Sequence, residues 1–141
     1  MRVVTGKIET AIIFTDGASR GNPGRAGAGF VIYSVEGEKL REGSYYLGNK
    51  TNNQAEYEAL IRALETAVDM GIRKIEIRSD SQLLIRQLQG SYRVKSPNII
   101  PLYEKVKSLL ENFSDVRLKH IPRELNKEAD ALANRGIDSS G

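Results

Sequence analysis

The sequence of 141 residues contains no cysteine and only one histidine, His120. The lack of cysteine excludes a disulfide framework and any metal site built from thiolates. A single histidine likewise excludes a metal centre that uses several imidazole ligands. A metal site in this chain would therefore have to use carboxylates.

Long apolar runs are also missing, because no stretch approaches the roughly 20 residues that a membrane-spanning helix needs. The N-terminal stretch MRVVTGKIET does not contain the apolar core of a signal peptide. From these two absences we expect a cytoplasmic protein that does not bind membranes. We further expect it to be a monomer.

The length is typical of one globular domain with one hydrophobic core. We expect a single domain over residues 1–141, with a short N-terminal extension, a core of about residues 7–138 and a frayed tail, DSSG. Lysine and arginine total 21 and aspartate and glutamate total 18, which gives a net charge of +3. This small excess is compatible with a polyanionic partner but does not identify one by itself.

Apolar residues first alternate along the chain and then repeat at helical spacing. The alternation predicts three strands that short loops join into an antiparallel meander. The later pattern predicts four helices, and the two strands among them should run parallel in the same mixed sheet. In chain order, the predicted elements are strands at 7–15, 27–34 and 40–48, a helix at 53–70, a strand at 74–80, helices at 82–90 and 99–113, a strand at 116–122 and a helix at 124–137.

Two aspartates lie where predicted strands end. Asp16 lies at the carboxyl end of the first strand, and Asp80 lies at the carboxyl end of the fourth. Ligands of open α/β sheets bind at such ends, so the two carboxylates could share one site. Each also has a structural interpretation, since Asp16–Gly17 is a common turn pair and Asp80 before Ser81 could cap a helix.

Two further carboxylates lie on the apolar sides of predicted helices. Glu56 precedes Leu60 by four residues, and Asp130 precedes Ala133 by three. Burying a carboxylate is costly unless it is paired or bound to metal. The alternative is that both lie at the edge of the apolar stripe near helix starts, where the helix dipole favours anions. That alternative is plausible for either residue alone. It is less plausible for both together, because two further carboxylates lie at the ends of predicted strands.

Four carboxylates that converge repel each other unless cations lie between them. Ligation by oxygen alone suits Mg²⁺ or Mn²⁺ rather than zinc or copper. Two such ions about 3.5–4 Å apart form the clamp that enzymes use for in-line phosphoryl transfer. With the four carboxylates assigned to metal, 14 acidic residues face 21 basic ones, an excess of +7 that suits binding to nucleic acid.

Four segments of the chain match a family in order: TDGASRGNPG, TNNQAEYEAL, SDSQLLIRQL and HIPRELNKEADALA. On these segments the chain resembles type 1 ribonuclease H over about residues 7–138. The resemblance implies an α/β fold with a five-stranded mixed sheet of order 3-2-1-4-5 and helices on both faces. It also implies a metal-dependent endoribonuclease that hydrolyses the RNA strand of RNA–DNA hybrids, leaving 5′-phosphate and 3′-hydroxyl ends.

The same resemblance assigns roles to individual residues. It implies that Asp16, Glu56, Asp80 and Asp130 form the catalytic set and hold two Mg²⁺ or Mn²⁺ ions in the substrate complex. His120 matches an auxiliary catalytic histidine of the family's active-site loop. A lone histidine at a strand end commonly has no chemical role, so this structural alternative stays open.

Further residues match the parts of the family that contact the hybrid. Gly17 would let the RNA strand approach closely because glycine has no Cβ, and Asn22 could hydrogen-bond a sugar or a phosphate. Amide side chains both donate and accept, which suits a 2′-hydroxyl group. The implied substrate-binding residues are Gly17, Asn22, Thr51, Asn52, Asn53 and Gln82. Thr51 or Asn52 could also cap the helix that follows, and Gln82 could be a solvated helix residue.

One segment departs from many bacterial members, which insert a further helix and a basic loop. Here only GSYRVKSP joins the second and third predicted helices. Arg93 and Lys95 could replace part of that basic surface or lie in a solvated loop. In this respect the chain resembles the compact members, some of which also act on double-stranded RNA. Double-stranded RNA is therefore a second candidate substrate.

Three other functions compete with this interpretation. A binding module of the same fold without activity would lack a carboxylate, and none of the four is missing. A nucleotide-binding loop is disfavoured because SRGNPGRAGAG lacks the Lys-Ser/Thr pair of a phosphate loop and leads into a strand. An integrase-like nuclease shares the broad fold, but Asn52, Asn53 and Gln82 favour a protein that recognises hybrids.

Overall fold

The computed structural model describes residues 8–139, so Lys7 of the first predicted strand and Ser140 and Gly141 of the predicted tail lie outside the described residues. The elements in chain order are β1 (Thr10–Ser19), β2 (Gly24–Ser34), β3 (Lys39–Lys50), α1 (Asn52–Asp69), β4 (Lys74–Ser79), α2 (Gln82–Leu88), α3 (Ile100–Leu110), β5 (Asp115–His120) and α4 (Lys127–Asp138). A 3₁₀ turn, Arg123–Leu125, precedes α4. None of the helices within the described residues is long and apolar enough to cross a membrane.

Within residues 8–139, five strands form one mixed sheet in the order β3-β2-β1-β4-β5. β1 pairs antiparallel with β2, and β2 pairs antiparallel with β3, as expected for consecutive strands joined by short turns. β4 and β5 each follow a helix and extend the sheet in parallel, with Ile13 opposite Ile77 and Ile77 opposite Leu118. The predicted mixed sheet and its strand order are confirmed.

Helices cover both faces of the sheet, as predicted. α1 lies on one face, where Leu60 and Leu64 pack with Ile13 in the main hydrophobic core. α2 and α3 join this core through Leu84 and Val106. α4 lies on the opposite face, against β1, β2 and β3.

α4 approaches the sheet so closely that two positions of β2 require glycine. A Cβ atom on Gly27 would lie 2.2 Å from the carbonyl oxygen of Ala133, and one on Gly29 would lie 2.4 Å from that of Ala129. Both obstructing atoms belong to the helix backbone, which cannot move aside like a flexible side chain. These glycines therefore set the distance between α4 and the sheet.

A reciprocal cap determines where α1 begins. The Thr51 hydroxyl accepts a hydrogen bond from the Gln54 backbone N–H at 3.1 Å, and the Gln54 side chain accepts one from the Thr51 N–H at 2.9 Å. Such a capping box satisfies two backbone donors that have no partner inside the helix. Of the two predicted caps, Thr51 and Asn52, the structure selects Thr51.

The first strand is longer than predicted, and this changes the setting of Asp16. β1 runs to Ser19 because residues 16–19 pair with residues 26–29 of β2. Asp16 therefore lies inside a strand, and the prediction of a turn or strand end at this point is wrong. Asp16 is nevertheless the first residue beyond the parallel pairing with β4, which ends at Thr15.

The last two helices are shorter than their apolar patterns predicted. α3 spans Ile100–Leu110 instead of 99–113, because the buried Ile99 and Phe113 lie just outside the helix and extend its apolar pattern. α4 begins at Lys127 instead of residue 124, because the 3₁₀ turn comes first. In α3, periodicity overestimates the helix because the flanking apolar residues also face the core.

We predict that Gly29→Ala destabilises the fold by about 3 kcal/mol, because overpacking against rigid backbone lies at the upper end of the usual range. Gly71→Asn is the matched control, since Gly71 follows α1 with φ +80° and its Cβ position has nothing within 4 Å. Asparagine tolerates this backbone, so the control should lose less than about 1 kcal/mol. Urea denaturation measures the loss of unfolding free energy in each variant. Equal losses would contradict the inference that α4 leaves no room for a Cβ atom at position 29.

Candidate active site

An open cleft lies where β1, β4 and β5 end and where α1, α2 and α4 begin. Its volume is about 990 Å³. Most of the site residues that the sequence predicted lie together on its floor and walls. These are Asp16, Gly17, Asn22, Thr51, Asn52, Asn53, Glu56, Asp80, His120 and Asp130.

Asp16 is the most buried of the four carboxylates, with 5% of its surface exposed. It lies opposite Gly29 of β2, on the face of the sheet that α4 covers. The backbone just before it is anchored to the residue that precedes α4, because the buried side chain of Asn126 donates to the Thr15 carbonyl oxygen at 2.9 Å. The central strand therefore presents this carboxylate from a well-held backbone.

Glu56 reaches the same point from near the start of α1. Its Oε1 accepts a hydrogen bond from the Gly17 backbone N–H at 3.2 Å. α1 can come this close because a Cβ atom on Gly17 would lie 2.2 Å from the backbone carbonyl carbon of Ala55. Gly17 is thus required for helix packing, whereas its predicted contact with RNA stays a prediction.

Asp80 completes a cluster of three carboxylates. It directly follows β4, and it does not cap α2, because the Ser81 hydroxyl accepts from the Leu84 N–H at 3.2 Å and forms the cap. One oxygen each from Asp16, Glu56 and Asp80 lie within 4.8 Å of one another. Three carboxylate oxygens at this spacing suit hard divalent cations such as Mg²⁺ or Mn²⁺.

Asp130 lines the cleft from the first turn of α4 and is half-buried. It lies close enough to Asp16 to contribute to the raised pKa of that residue. The Asn134 side-chain amide donates to the Asp130 carbonyl oxygen at 3.0 Å and to its Oδ1 at 3.3 Å. The structure therefore brings together all four carboxylates that the sequence singled out.

Burial and the repulsion of neighbouring charges make Asp16 and Glu56 hard to ionise. Burial raises the pKa of Asp16 most, and the charges of Glu56 and Asp80 raise it further. Burial and the charge of Asp80 also raise the pKa of Glu56, while the hydrogen bond from Gly17 opposes that rise. A cation bound among them would favour their charged forms, so the electrostatics of the cluster fit a metal site.

The amide oxygens at the rim of the cleft already accept hydrogen bonds from the backbone. Asn52 Oδ1 accepts from the Ser19 N–H at 3.1 Å, and Asn22 Oδ1 accepts from the Asn52 N–H at 3.0 Å. We expected amide side chains at this site both to donate and to accept hydrogen bonds. Because each oxygen already accepts one backbone hydrogen bond, the amide N–H groups would be the main contribution of these side chains to a ligand.

The remaining predicted residues lie around the cleft with different exposure. His120 ends β5 and is exposed at the edge of the cleft. Gln82 is exposed in the first turn of α2 and is missing from the described residues that line the cleft, whereas the adjacent Leu83 lines it. Arg93 and Lys95 are also exposed, and Arg93 lines a separate hollow beside α3. The roles of these residues stay predictions.

Several polar residues of the cleft were not singled out from the sequence. Ser19, Ser81, Arg123 and Asn134 all line it, and the charge of Arg123 lowers the pKa of Glu56. Asn134 could have been found, because it follows Asp130 by four residues and so shares its helix face. Arg123 had no local signal, since it reaches the cleft only through the 3₁₀ turn.

Comparisons with known proteins indicate the family of the chain. A family model described as "Reverse transcriptase-like" matches residues 14–136. Ribonuclease HI of Halobacterium salinarum is 46% identical over 127 residues, which cover 90% of this chain and 64% of that protein. The crystal structure of RNase H1 from that archaeon has a TM-score of 0.90 at 45% identity, and the match covers 92% of this chain and 98% of that chain.

A second solved structure is LC11-RNase H1 in complex with an RNA/DNA hybrid. It has a TM-score of 0.88 at 46% identity, and the match covers 92% of this chain and 98% of that chain. The chain spans 64% of the length of the halobacterial ribonuclease HI. All four carboxylates lie inside the region that the family model matches. On this similarity of sequence and fold, the chain belongs to the type 1 ribonuclease H family.

Proposed function

We propose that this chain, as one catalytic domain, is a metal-dependent endoribonuclease that hydrolyses the RNA strand of RNA–DNA hybrids. The observation that carries the proposal is the convergence of Asp16, Glu56, Asp80 and Asp130 in one cleft. The relative LC11-RNase H1, whose crystal structure contains an RNA/DNA hybrid, supports the choice of substrate. The products would carry 5′-phosphate and 3′-hydroxyl ends.

The four carboxylates would hold two divalent cations, Mg²⁺ or Mn²⁺. Carboxylate oxygens are ligands that suit hard cations. The pKa values of Asp16 and Glu56 are raised, and a bound cation would stabilise the ionised form of both residues. Bound ions of this kind activate water as the nucleophile and neutralise the charge that develops on the phosphate.

The chain's own residues hold the ligands in place before the substrate binds. The Gly17 N–H orients Glu56, and the Asn134 amide orients Asp130. Such support matters because reacting groups must stay within about 0.5 Å of their productive positions. His120 would accept or relay a proton from the attacking water, or assist departure of the cleaved phosphate.

The rim of the cleft would contact the hybrid through hydrogen-bond donors. The side-chain N–H groups of Asn22 and Asn52 can donate to oxygens of phosphate, ribose or base edges. Asn53 would contact the minor groove beside them, Thr51 a DNA phosphate, and Gln82 the groove from the start of α2. The 2′-hydroxyl oxygen accepts such donors, so these contacts would distinguish RNA from DNA.

Cleavage assays on three duplexes of one sequence test the proposal: an RNA–DNA hybrid, double-stranded RNA and double-stranded DNA, each with Mg²⁺, Mn²⁺ or EDTA. We expect the RNA of the hybrid to be cut only with metal and the DNA duplex to stay intact. Asp16→Asn should abolish cleavage because it keeps the shape and removes the charge. The matched control, Asp69→Asn at an exposed position, should cleave normally.

Near-normal cleavage by a folded Asp16→Asn variant would overturn the assignment, as would cutting of the DNA duplex at a rate comparable to the hybrid. Cutting of double-stranded RNA in the same assay would add it as a second substrate. Circular dichroism of each variant verifies that the fold is retained.

Asp16→Asn should also stabilise the metal-free chain. Burial and the charges of Glu56 and Asp80 raise the pKa of Asp16 above its ordinary value of 3.8, so ionising it opposes folding. In the unfolded chain Asp16 ionises above about pH 4, whereas in the folded chain it stays protonated to a higher pH. The folded chain therefore has its full stability below about pH 4 and loses stability as the pH rises toward the folded pKa of Asp16. In EDTA at pH 7.5, the variant should melt roughly 5 °C higher, which corresponds to about 1 kcal/mol or more.

Melting curves of parent and variant from pH 4 to pH 8 measure this difference, which should grow as the pH rises. Excess Mn²⁺ should narrow it, because metal that binds only the folded parent stabilises the parent. A difference that does not change with pH would exclude the ionisation of Asp16 as its cause.

We predict that His120→Ala slows turnover by about 10²-fold, the lower end of the usual gain from general acid–base catalysis. Activity should remain measurable, because bound metal already activates the attacking water. The KM for the hybrid should change little. The pH–rate profile between about pH 5 and pH 8 should lose one limb. Parent-like single-turnover and steady-state rates across that range would exclude a catalytic role.

A further inference from the structure

Two buried polar side chains outside the cleft join α1 to α2. The Tyr57 hydroxyl donates a hydrogen bond to Gln87 Oε1 at 2.7 Å, and the two residues are 0% and 6% exposed. A tyrosine hydroxyl carries its proton at neutral pH, so it acts as the donor in this hydrogen bond. Because a buried polar group is costly without a partner, each side chain depends on the other.

This hydrogen bond connects the two segments that carry Glu56 and Asp80. Tyr57 directly follows Glu56 in α1, and Gln87 lies on α2, which begins two residues after Asp80. Neighbouring residues in a helix point about 100° apart. Tyr57 can therefore face α2 while Glu56 faces the cleft.

α2 needs a directional link because it is short. It spans only Gln82–Leu88, and its buried residues other than Gln87 are the apolar Leu84, Ile85 and Leu88. Apolar contacts are non-directional, so they hold a helix against the core without fixing its rotation. A hydrogen bond weakens steeply when it is misaligned, so the bond from Tyr57 favours one orientation of α2.

Asp80 is the carboxylate most affected by that orientation. Glu56 is held separately, because the Gly17 N–H donates to it. Asp80 lies between the end of β4 and the cap of α2, so a rotation or shift of α2 would move the backbone that carries it. The spacing of the three-carboxylate cluster therefore depends on how α2 docks against α1.

We propose that Tyr57 and Gln87 are positioning residues that hold Asp80 at the distance from Glu56 that the cations require. The inference rests on the proposed function, because it concerns the spacing of the proposed metal ligands. Mg²⁺ demands ligand distances of about 2.0–2.1 Å in near-ideal geometry, so small displacements matter. Substituting a residue that orients a metal ligand without contacting the metal commonly weakens metal affinity by about 10-fold to 100-fold.

Tyr57→Phe tests the proposal, because it keeps the buried ring and removes the hydroxyl. Isothermal titration of the substrate-free chain with Mn²⁺ should show affinity that is weaker on the order of 10-fold. Hybrid cleavage should need a correspondingly higher Mn²⁺ concentration for half-maximal rate. At saturating metal, the KM for the hybrid should stay unchanged, because the rim residues are unaffected.

Two further variants separate positioning from general destabilisation. Tyr103→Phe is the matched control, since this α3 tyrosine lies near enough to influence the pKa of Tyr57, and its metal affinity should equal the parent's. The double variant Tyr57→Phe/Gln87→Leu leaves no unpaired polar group, so much of the lost stability should return. The link between the helices stays broken, so metal affinity should stay weak.

Parent-like metal affinity in Tyr57→Phe would overturn the inference. Recovery of both stability and affinity in the double variant would also overturn it, because an unpaired amide alone would then explain the loss. A parent chain that neither binds Mn²⁺ nor cuts the hybrid would instead overturn the proposed function, and the inference with it. If Tyr57→Phe does not fold, the double variant carries the test.

Discussion

The close approach of two helices to the β1–β2 ribbon determines where the cleft carboxylates lie. α1 contacts the ribbon at Gly17, where a Cβ atom would lie 2.2 Å from Ala55, and α4 contacts it at Gly29, where a Cβ atom would lie 2.4 Å from Ala129. In each helix the next residue is a cleft carboxylate. The two helices lie on opposite faces, so these backbone contacts bring one carboxylate from each side toward Asp16 at the end of the parallel pairing.

The same contacts place like charges close together, which destabilises the folded chain. Asp16 is buried beside Glu56 and Asp80, and burial and like charge together raise its pKa. Sites that oppose folding in this way are typical of positions where function overrides stability. Cations bound among the carboxylates would offset this repulsion, so metal binding would also stabilise the folded chain.

Local sequence patterns predicted the order and type of the elements because each strand and helix follows the period of its own buried face. They failed where a distant segment decides the outcome. An Asp-Gly pair favours a turn, yet β1 continues through residues 16–19 because residues 26–29 of β2 pair with them. The carboxylates could be predicted because each is out of place in its local pattern. Tyr57 and Gln87 could not, because they lie 30 positions apart and a tyrosine among apolar helix residues resembles ordinary core.

The floor and the rim of the cleft differ in chemistry, yet both suit a phosphodiester. The carboxylate floor requires cations, and the rim offers amide donors because the Asn22 and Asn52 oxygens are engaged with backbone N–H groups. RNA and DNA strands both supply phosphate oxygens, so contacts to phosphate alone cannot distinguish them. Discrimination would come from rim donors that reach a 2′-hydroxyl group at a fixed distance from the carboxylates. α1 sets that distance, because Asn52 and Glu56 lie four residues apart in one helix, or about 6 Å along its axis.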